Sequence, residues 1–144
     1  MRFIKELNDA ILNEDFYETH QILEMIKQEE DAFEYLLPIF DIMEKNPELD
    51  YGMPGPIVHF MEGYYRKGYE ELLLDSIRKF PTGHTVWMLN RVMNDAQLNN
   101  RDKYIEVLKS SLNRNDISQI VRNDIEKLCE VPNGMNITDN LEKN

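Results

Sequence analysis

Residues 69–80 read YEELLLDSIRKF, and this stretch decides the fold class. Apolar and small side chains recur in it at the spacing of one helix face: Tyr69, Leu72, Leu73, Ser76, Ile77 and Phe80. The same spacing returns in residues 104–112 and in residues 117–128, where Ile120 and Val121 belong to the stripe. Alternation with a period of two, which marks a strand, is missing over any useful length. The sequence therefore predicts an all-α protein.

Turn-forming residues divide the chain into predicted helices at 2–13, 15–28, 30–45, 56–67, 69–80, 83–96, 101–113 and 116–130. Pro38 lies inside the third of these, so we expect a kink or an early end there, because proline removes one backbone hydrogen bond. Pro56 fits the first turn of the fourth helix, where its missing N–H costs nothing. Asp116 and Gln119 have the spacing of a capping box at the start of the last helix.

A faint internal repeat links the fifth and seventh predicted helices. Four residues return at a constant separation, since Tyr69, Glu71, Leu73 and Ser76 recur as Tyr104, Glu106, Leu108 and Ser111. Repeated helix pairs are typical of α-solenoids. We therefore predict antiparallel helix pairs stacked as a short HEAT-like array. A compact helical bundle is the alternative, because its helices show the same periodicity. The length fits one domain, placed at 1–130 and followed by a flexible C-terminal tail at 131–144.

Charge is unevenly distributed along the chain. The whole sequence has 27 acidic and 16 basic residues, hence a net charge of −11. Residues 1–75 hold 18 acidic and 6 basic side chains, and residues 76–144 hold 9 and 10. Nucleic-acid binding needs the opposite sign, so no nucleic-acid partner is expected. The acidic surface either keeps the protein soluble or steers a basic protein partner towards it.

Several features predict a cytoplasmic location. Glu6 and Asp9 interrupt the apolar residues at the amino terminus, which argues against a secretory leader. No stretch approaches the roughly 20 apolar residues of a membrane span, so no membrane association is expected. Cys129 is the only cysteine and fits a reducing compartment, where a free thiol serves as a small packing residue.

Candidate catalytic and metal-binding patterns are weak. His59 and Glu62 stand three apart, as in carboxylate-bridged metal sites, but such sites need a second pair on a facing helix. The sequence also lacks a nucleophile elbow and a phosphate-binding glycine loop. We therefore expect no metal, no cofactor and no catalytic residues. An enzyme whose carboxylates converge only in three dimensions is kept as a less favoured alternative.

Two segments stand out from the helical pattern. In residues 50–56, DYGMPGP, two prolines fix backbone angles while two glycines permit unusual ones. This loop is predicted to be rigid and to project Asp50 and Tyr51, either as a stiff connector or as a partner-binding loop. In the helix after Thr82, the stripe includes Asn90, whose buried amide would tie neighbouring elements together through hydrogen bonds. Trp87 and Arg91 are four apart on this helix and are expected to stack.

A family resemblance is carried by three stretches in the central third of the chain. They are PGPIVHFME at residues 54–62, LLDSI at residues 73–77 and PTGHTVWMLN at residues 81–90. Together they resemble small helical immunity proteins of bacterial polymorphic toxin systems. The resemblance implies a protein that binds a cognate toxin, often a nuclease, and blocks it without catalysis. It supplies no catalytic residues.

The expected partner is thus a protein toxin with a basic surface, bound by a monomer or a weak homodimer. Aromatic anchors supply affinity in such contacts, while carboxylates supply association rate and selectivity. The predicted contact residues lie in or beside the rigid loop and are Asp50, Tyr51, Glu62, Tyr64 and Tyr65. The alternative function, from another class, is a helical-repeat scaffold that binds a peptide or protein.

Overall fold

A computed structural model describes residues 1–130 of the chain. These residues form helices and no strand, so the predicted all-α fold is confirmed. A short 3-10 helix at Ala32–Tyr35 accompanies α1 (Ile4–Leu12), α2 (Phe16–Ile26), α3 (Leu36–Lys45), α4 (Gly55–Glu62), α5 (Tyr69–Lys79), α6 (Gly83–Met93), α7 (Arg101–Ser111) and α8 (Gln119–Glu130). None of these helices has both the length and the apolar content that crossing a membrane requires. The tail predicted at 131–144 lies outside the described residues.

Backbone contacts divide the chain into two compact units, Met1–Leu72 and Leu73–Asn144, with the dividing line inside α5. In the first unit, α2 packs against α1 and α4. In the second unit, α8 packs against α6 and α7. Packing between a helix and the next but one occurs in stacked α-hairpins and also in bundles. Both architectures therefore agree with these pairs, and the single domain expected over 1–130 stays a prediction.

Pro38 lies in the first turn of a helix. The helix predicted over residues 30–45 is divided into the 3-10 helix and α3, and Pro38 is the third residue of α3. The first turn of an α-helix has N–H groups without an intrahelical acceptor, so proline is tolerated there. The predicted helix is therefore interrupted before Pro38, where the 3-10 helix ends at Tyr35 and α3 begins at Leu36. Pro56 lies in the first turn of α4, as predicted.

The apolar stripes of α5 and α7 are confirmed at the repeated positions. Tyr69 and Leu73 are fully buried in α5, and Tyr104 and Leu108 are buried at the matching places in α7. Their inward serines, Ser76 and Ser111, are also buried. The faint repeat therefore corresponds to two helix faces with the same pattern of burial.

The start of α8 corrects two predictions. Ile120 is 74% exposed, because neighbouring residues on a helix point about 100° apart and Val121 takes the inward position. The capping box at Asp116 is also wrong, since α8 begins only at Gln119. The hydroxyl of Ser118 caps the helix instead, accepting the backbone N–H of Val121 at 3.1 Å.

Arginine side chains and a reciprocal cap secure the helix ends of the second unit. Arg122 donates to the carbonyls of Leu112 (2.7 Å) and Arg114 (2.6 Å), just after α7. The guanidinium of Arg114 binds the carboxylate of Asp116 through two contacts of 2.8 and 2.7 Å. At the start of α6, Thr82 and Thr85 each accept the other's backbone N–H at 3.1 Å. This is a capping box built from two buried threonines.

Candidate functional site

Tyr51 does not project from the loop between α3 and α4, contrary to the sequence prediction. Its side chain is 2% exposed, and its hydroxyl donates a hydrogen bond to the carbonyl of Asn46 at 2.6 Å. Burial raises the pKa of Tyr51 well above its usual value, and the charges of Glu48 and Glu14 act in the same direction. Tyr51 therefore braces the loop from inside, and its ring offers no surface to a partner.

Asp50 lies at the surface, as predicted, and ties the loop to the turn between α1 and α2. Its backbone N–H donates to the carboxylate of Glu14 at 2.7 Å. Its own carboxylate accepts the N–H of Gly52 at 2.9 Å, where the backbone turns through a positive φ of 85°. Glu14 also has a positive φ, 55°. Two separate turns of the chain thus hold each other in place.

The other three predicted contact residues lie at the end of α4 and in the turn after it. The ring of Tyr64 is half-buried and meets the rings of Phe33 and Phe60 edge-on, at centroid distances of 5.3 and 5.8 Å. Tyr65 is also half-buried, with the guanidinium of Arg66 5.5 Å from its ring centre. Aromatic packing thus covers part of the ring of Tyr64. Glu62, the last residue of α4, is partly exposed.

The predicted contact residues do not form one cluster. Asp50 precedes α4, whereas Glu62, Tyr64 and Tyr65 follow from its last residue onwards. An eight-residue helix is about 12 Å long at 1.5 Å per residue, so the two groups lie at opposite ends of α4. Since Tyr51 is buried and the other three are partly buried, Asp50 is the most exposed member of the set.

A different group of exposed apolar side chains, which sequence reasoning missed, lies around the turn between α1 and α2 and in the loop before α4, two segments that the hydrogen bond from Asp50 to Glu14 joins. We call it the corner patch and define it by Leu12, Phe16, Tyr17 and Met53. Their exposed fractions are 48%, 40%, 74% and 66%. Phe16 lines a depression of about 10 Å³ together with residues of the loop, and Met53 belongs to that same loop. In the sequence, the feature that indicates this surface is Tyr17, an aromatic residue outside the buried stripe of α2.

Three carboxylates lie on the same two segments as the corner patch, and backbone groups hold them in place. Asp15 caps α2 by accepting the N–H of Glu18 at 3.0 Å. Glu14 and Asp50 are fixed by the loop contacts described above. Each ionised carboxylate has about four acceptor positions, so each keeps room for a cation.

The division into units sharpens the charge asymmetry. Met1–Leu72 contains 17 acidic and 6 basic residues, whereas Leu73–Asn144 contains 10 of each. The first unit thus holds the entire net charge of −11, and the second is neutral. Seven of the eight exposed large apolar side chains found in residues 1–130 also belong to the first unit. Charge and exposed apolar surface coincide there.

The second unit uses its distinctive side chains for packing. Asn90 is fully buried in α6, as its place on the stripe predicts. The expected stack is confirmed, since the guanidinium of Arg91 lies 5.2 Å from the ring centre of Trp87. Trp87 is only 6% exposed and also meets the ring of His84 at 5.5 Å. Asn90 and Trp87 therefore belong to the interior of the second unit, while the partly exposed Arg91 and His84 contact the ring of Trp87.

Titratable groups are dispersed in the part of the chain that the structure describes. Within residues 1–130, no three histidine, cysteine or acidic side chains converge in a way that could hold a metal ion. Burial raises the pKa of the half-buried Asp124, while Lys127 acts against it. Burial likewise raises the pKa of the Cys129 thiol, which reduces its thiolate fraction and its nucleophilicity.

Comparisons with protein-family models, curated proteins and solved structures find no match to this chain. The chain's own surface therefore carries the functional inference. Its features are the charge of the first unit, the exposed corner patch and the loop that Glu14 and Tyr51 hold in place.

Proposed function

We propose that this chain is an immunity protein, which binds a cognate bacterial toxin and neutralises it without catalysis. The supporting observation is that one compact unit combines the whole net charge of −11 with nearly all of the exposed large apolar side chains found in the described residues. Such a surface suits a basic protein partner, because apolar anchors supply affinity while opposite charge accelerates encounter. The sequence resemblance supplies the toxin as that partner.

Neutralisation follows from occupying the toxin's working surface. A toxin that cleaves nucleic acid needs basic side chains where the phosphates bind. A protein surface rich in carboxylates competes for the same side chains and excludes the substrate. This mode of action needs no reaction in the immunity protein, so it needs neither a metal nor a nucleophile.

Co-expression with the product of the neighbouring reading frame tests the proposal. We expect the chain to restore growth of cells that the neighbouring product kills, and to form a one-to-one complex with it. Association should slow steeply as salt rises, because exposed charges are screened beyond about 8 Å at physiological ionic strength. Failure to restore growth, or a neighbouring gene that encodes no toxin, would overturn the proposal. Comparable binding to several unrelated proteins would instead indicate the helical-repeat scaffold.

Matched charge reversals separate steering by the first unit from general solubility. Asp9→Lys and Glu18→Lys change exposed acids of the first unit, and Asp102→Lys and Glu106→Lys make the same change in the second. We expect the first pair to slow association by about tenfold at low salt, and the second pair by less than about twofold. Equal slowing by both pairs would contradict a binding role for the first unit.

A further inference from the structure

We infer that the corner patch is the docking surface for a basic protein, with Tyr17 and Met53 as its anchors. The inference rests on the proposed function and adds the place of contact. It is carried by exposed apolar side chains on two segments that are joined by the hydrogen bond from Asp50 to Glu14 and by the depression that Phe16 lines with Asp50 and Tyr51. A partner of complementary chemistry presents apolar side chains towards the patch and lysine or arginine side chains towards its acidic border.

The apolar side chains of the patch are poised for contact. Tyr17 is 74% exposed. It lies in the first turn of α2, where the cap at Asp15 fixes the direction of the helix. An aromatic side chain on a fixed helix loses few degrees of freedom on binding, and tyrosine combines an apolar ring with a polar tip. Met53 adds a flexible side chain that adapts to an uneven partner surface. The corner patch thus combines a rigid contact residue with an adaptable one.

The acidic border is organised before binding. Glu14, Asp15 and Asp50 each already accept one backbone N–H, at 2.7, 3.0 and 2.9 Å. Ordering a side chain at an interface costs roughly 0.5–1.5 kcal/mol, and side chains held in advance avoid part of that cost. The remaining acceptor positions face cationic groups of the partner.

Tyr51 is a positioning residue for this surface. Its hydroxyl bonds the carbonyl of Asn46, and its ring lines the same depression as Phe16. Glu14 holds the adjacent residue by accepting the backbone N–H of Asp50. Met53 therefore follows a segment of the loop that is fixed at Asp50 and Tyr51.

The charge of the first unit selects the occupant. A second copy of the chain would bring −11 against −11 in this unit, and like charges repel. Nucleic acids and anionic lipid surfaces are repelled for the same reason. The depression beside Phe16 measures about 10 Å³, which is room for about one water molecule. Among the possible occupants, a basic protein surface is the one that matches both the negative charge and the small size of the depression.

Truncating the anchors tests the inference with the full chain and the toxin encoded beside it. Tyr17→Ser and Met53→Ser should each weaken the complex by at least about tenfold. Met25→Ser and Leu37→Ser are the matched controls, because these side chains are 48% and 47% exposed in the same unit but lie outside the patch. They should change the affinity by less than about twofold. Circular dichroism should show that all four variants keep their helix content, since each side chain is exposed.

A positioning role for Tyr51 has its own readout. Tyr51→Phe removes the hydroxyl but keeps the buried ring, so the loop should exchange its backbone hydrogens faster in the free protein. Protection of residues 50–53 should return in the complex, because the partner covers the loop; exchange that stays as slow as in the wild type in the free protein would contradict the positioning role.

The outcomes separate the place of contact from the proposed function. If a salt-dependent complex forms, but Tyr17→Ser and Met53→Ser weaken it no more than the two controls do, the corner patch is not the docking surface. The immunity role would then stand. Absence of any complex with the wild-type chain would overturn both. Loss of a homodimer on truncating the anchors would assign the patch to a second copy and overturn the basic partner.

Discussion

Replacing Gly68 by alanine should be among the most damaging small changes in the first unit. Gly68 has a φ of 115°, which residues with a side chain rarely adopt, and a Cβ there would lie 2.9 Å from Cζ of Phe33. Backbone strain of this kind costs roughly 1–3 kcal/mol, and inserting a carbon into a packed site costs about as much again. We therefore expect Gly68→Ala to lower the free energy of unfolding by roughly 2–6 kcal/mol.

Two other glycines separate the cost of backbone strain from the cost of the steric contact. Gly55 has a φ of 74°, but its added Cβ would meet nothing within 4 Å, so Gly55→Ala should cost the strain alone, roughly 1–3 kcal/mol. Gly83 has neither the unusual φ nor a close neighbour, so Gly83→Ala should stay within about 0.5 kcal/mol. Adding Phe33→Leu to Gly68→Ala should relieve the contact and leave the strain.

Urea unfolding followed by far-ultraviolet circular dichroism measures these differences, because the signal reports all the helices. With a slope of about 2 kcal/mol per M urea, Gly68→Ala should lower the midpoint by roughly 1–3 M. A midpoint within about 0.3 M of that of Gly83→Ala would refute the reasoning. Equal losses for Gly68→Ala and Gly55→Ala would show that the side chain of Phe33 moves away freely.

Three further predictions concern the second unit. Thr82→Ala removes half of the capping box with Thr85 and should lower the free energy of unfolding by about 0.5–2 kcal/mol, measured by thermal unfolding followed by tryptophan fluorescence. Arg122→Met leaves two carbonyls beyond α7 without their donor and should cost about 1–3 kcal/mol in the same assay; Arg122→Lys should recover less than half, because lysine lacks the planar fork. Arg114 holds the pKa of Asp116 below its usual range, so Arg114→Gln should raise that pKa in an NMR titration. A depressed folded pKa contributes stability above the ordinary carboxyl value and loses it on acidification. The wild type should therefore lose stability more steeply than Arg114→Gln below about pH 4, and parallel curves would contradict the ion pair.

Helical periodicity was the most dependable guide to this fold. Leu73 and Leu108 are inside because a stripe that recurs every three to four residues has only one way to face a core. The same reasoning placed Asn90 in the interior, although it is polar. It also linked Trp87 with Arg91, since residues four apart on a helix are neighbours.

The candidate site was less accessible to sequence reasoning because loops and helix ends decide it. Tyr51 lies in a segment without periodicity, and only its bond to Asn46 shows that it turns inwards. The helix α8 begins at Gln119 and not at Asp116, whose carboxylate is bound by Arg114. Ser118 caps the helix instead. Tyr17 was recognisable in the sequence as an aromatic residue outside the buried stripe of α2, whereas Met53 is distant from it in the chain. The hydrogen bond between Glu14 and Asp50, which joins their two segments, is visible only in the structure.

The unequal division of charge between the units has a consequence for handling the protein in acid. On lowering the pH, carboxylates are protonated in both units, while the arginines and lysines keep their charge. The second unit, balanced at neutral pH, then turns cationic while the first is still anionic. At the isoelectric point the molecule is therefore strongly dipolar rather than uncharged throughout, and unlike units of different molecules attract. Precipitation should consequently peak there and should dissolve again when salt is added.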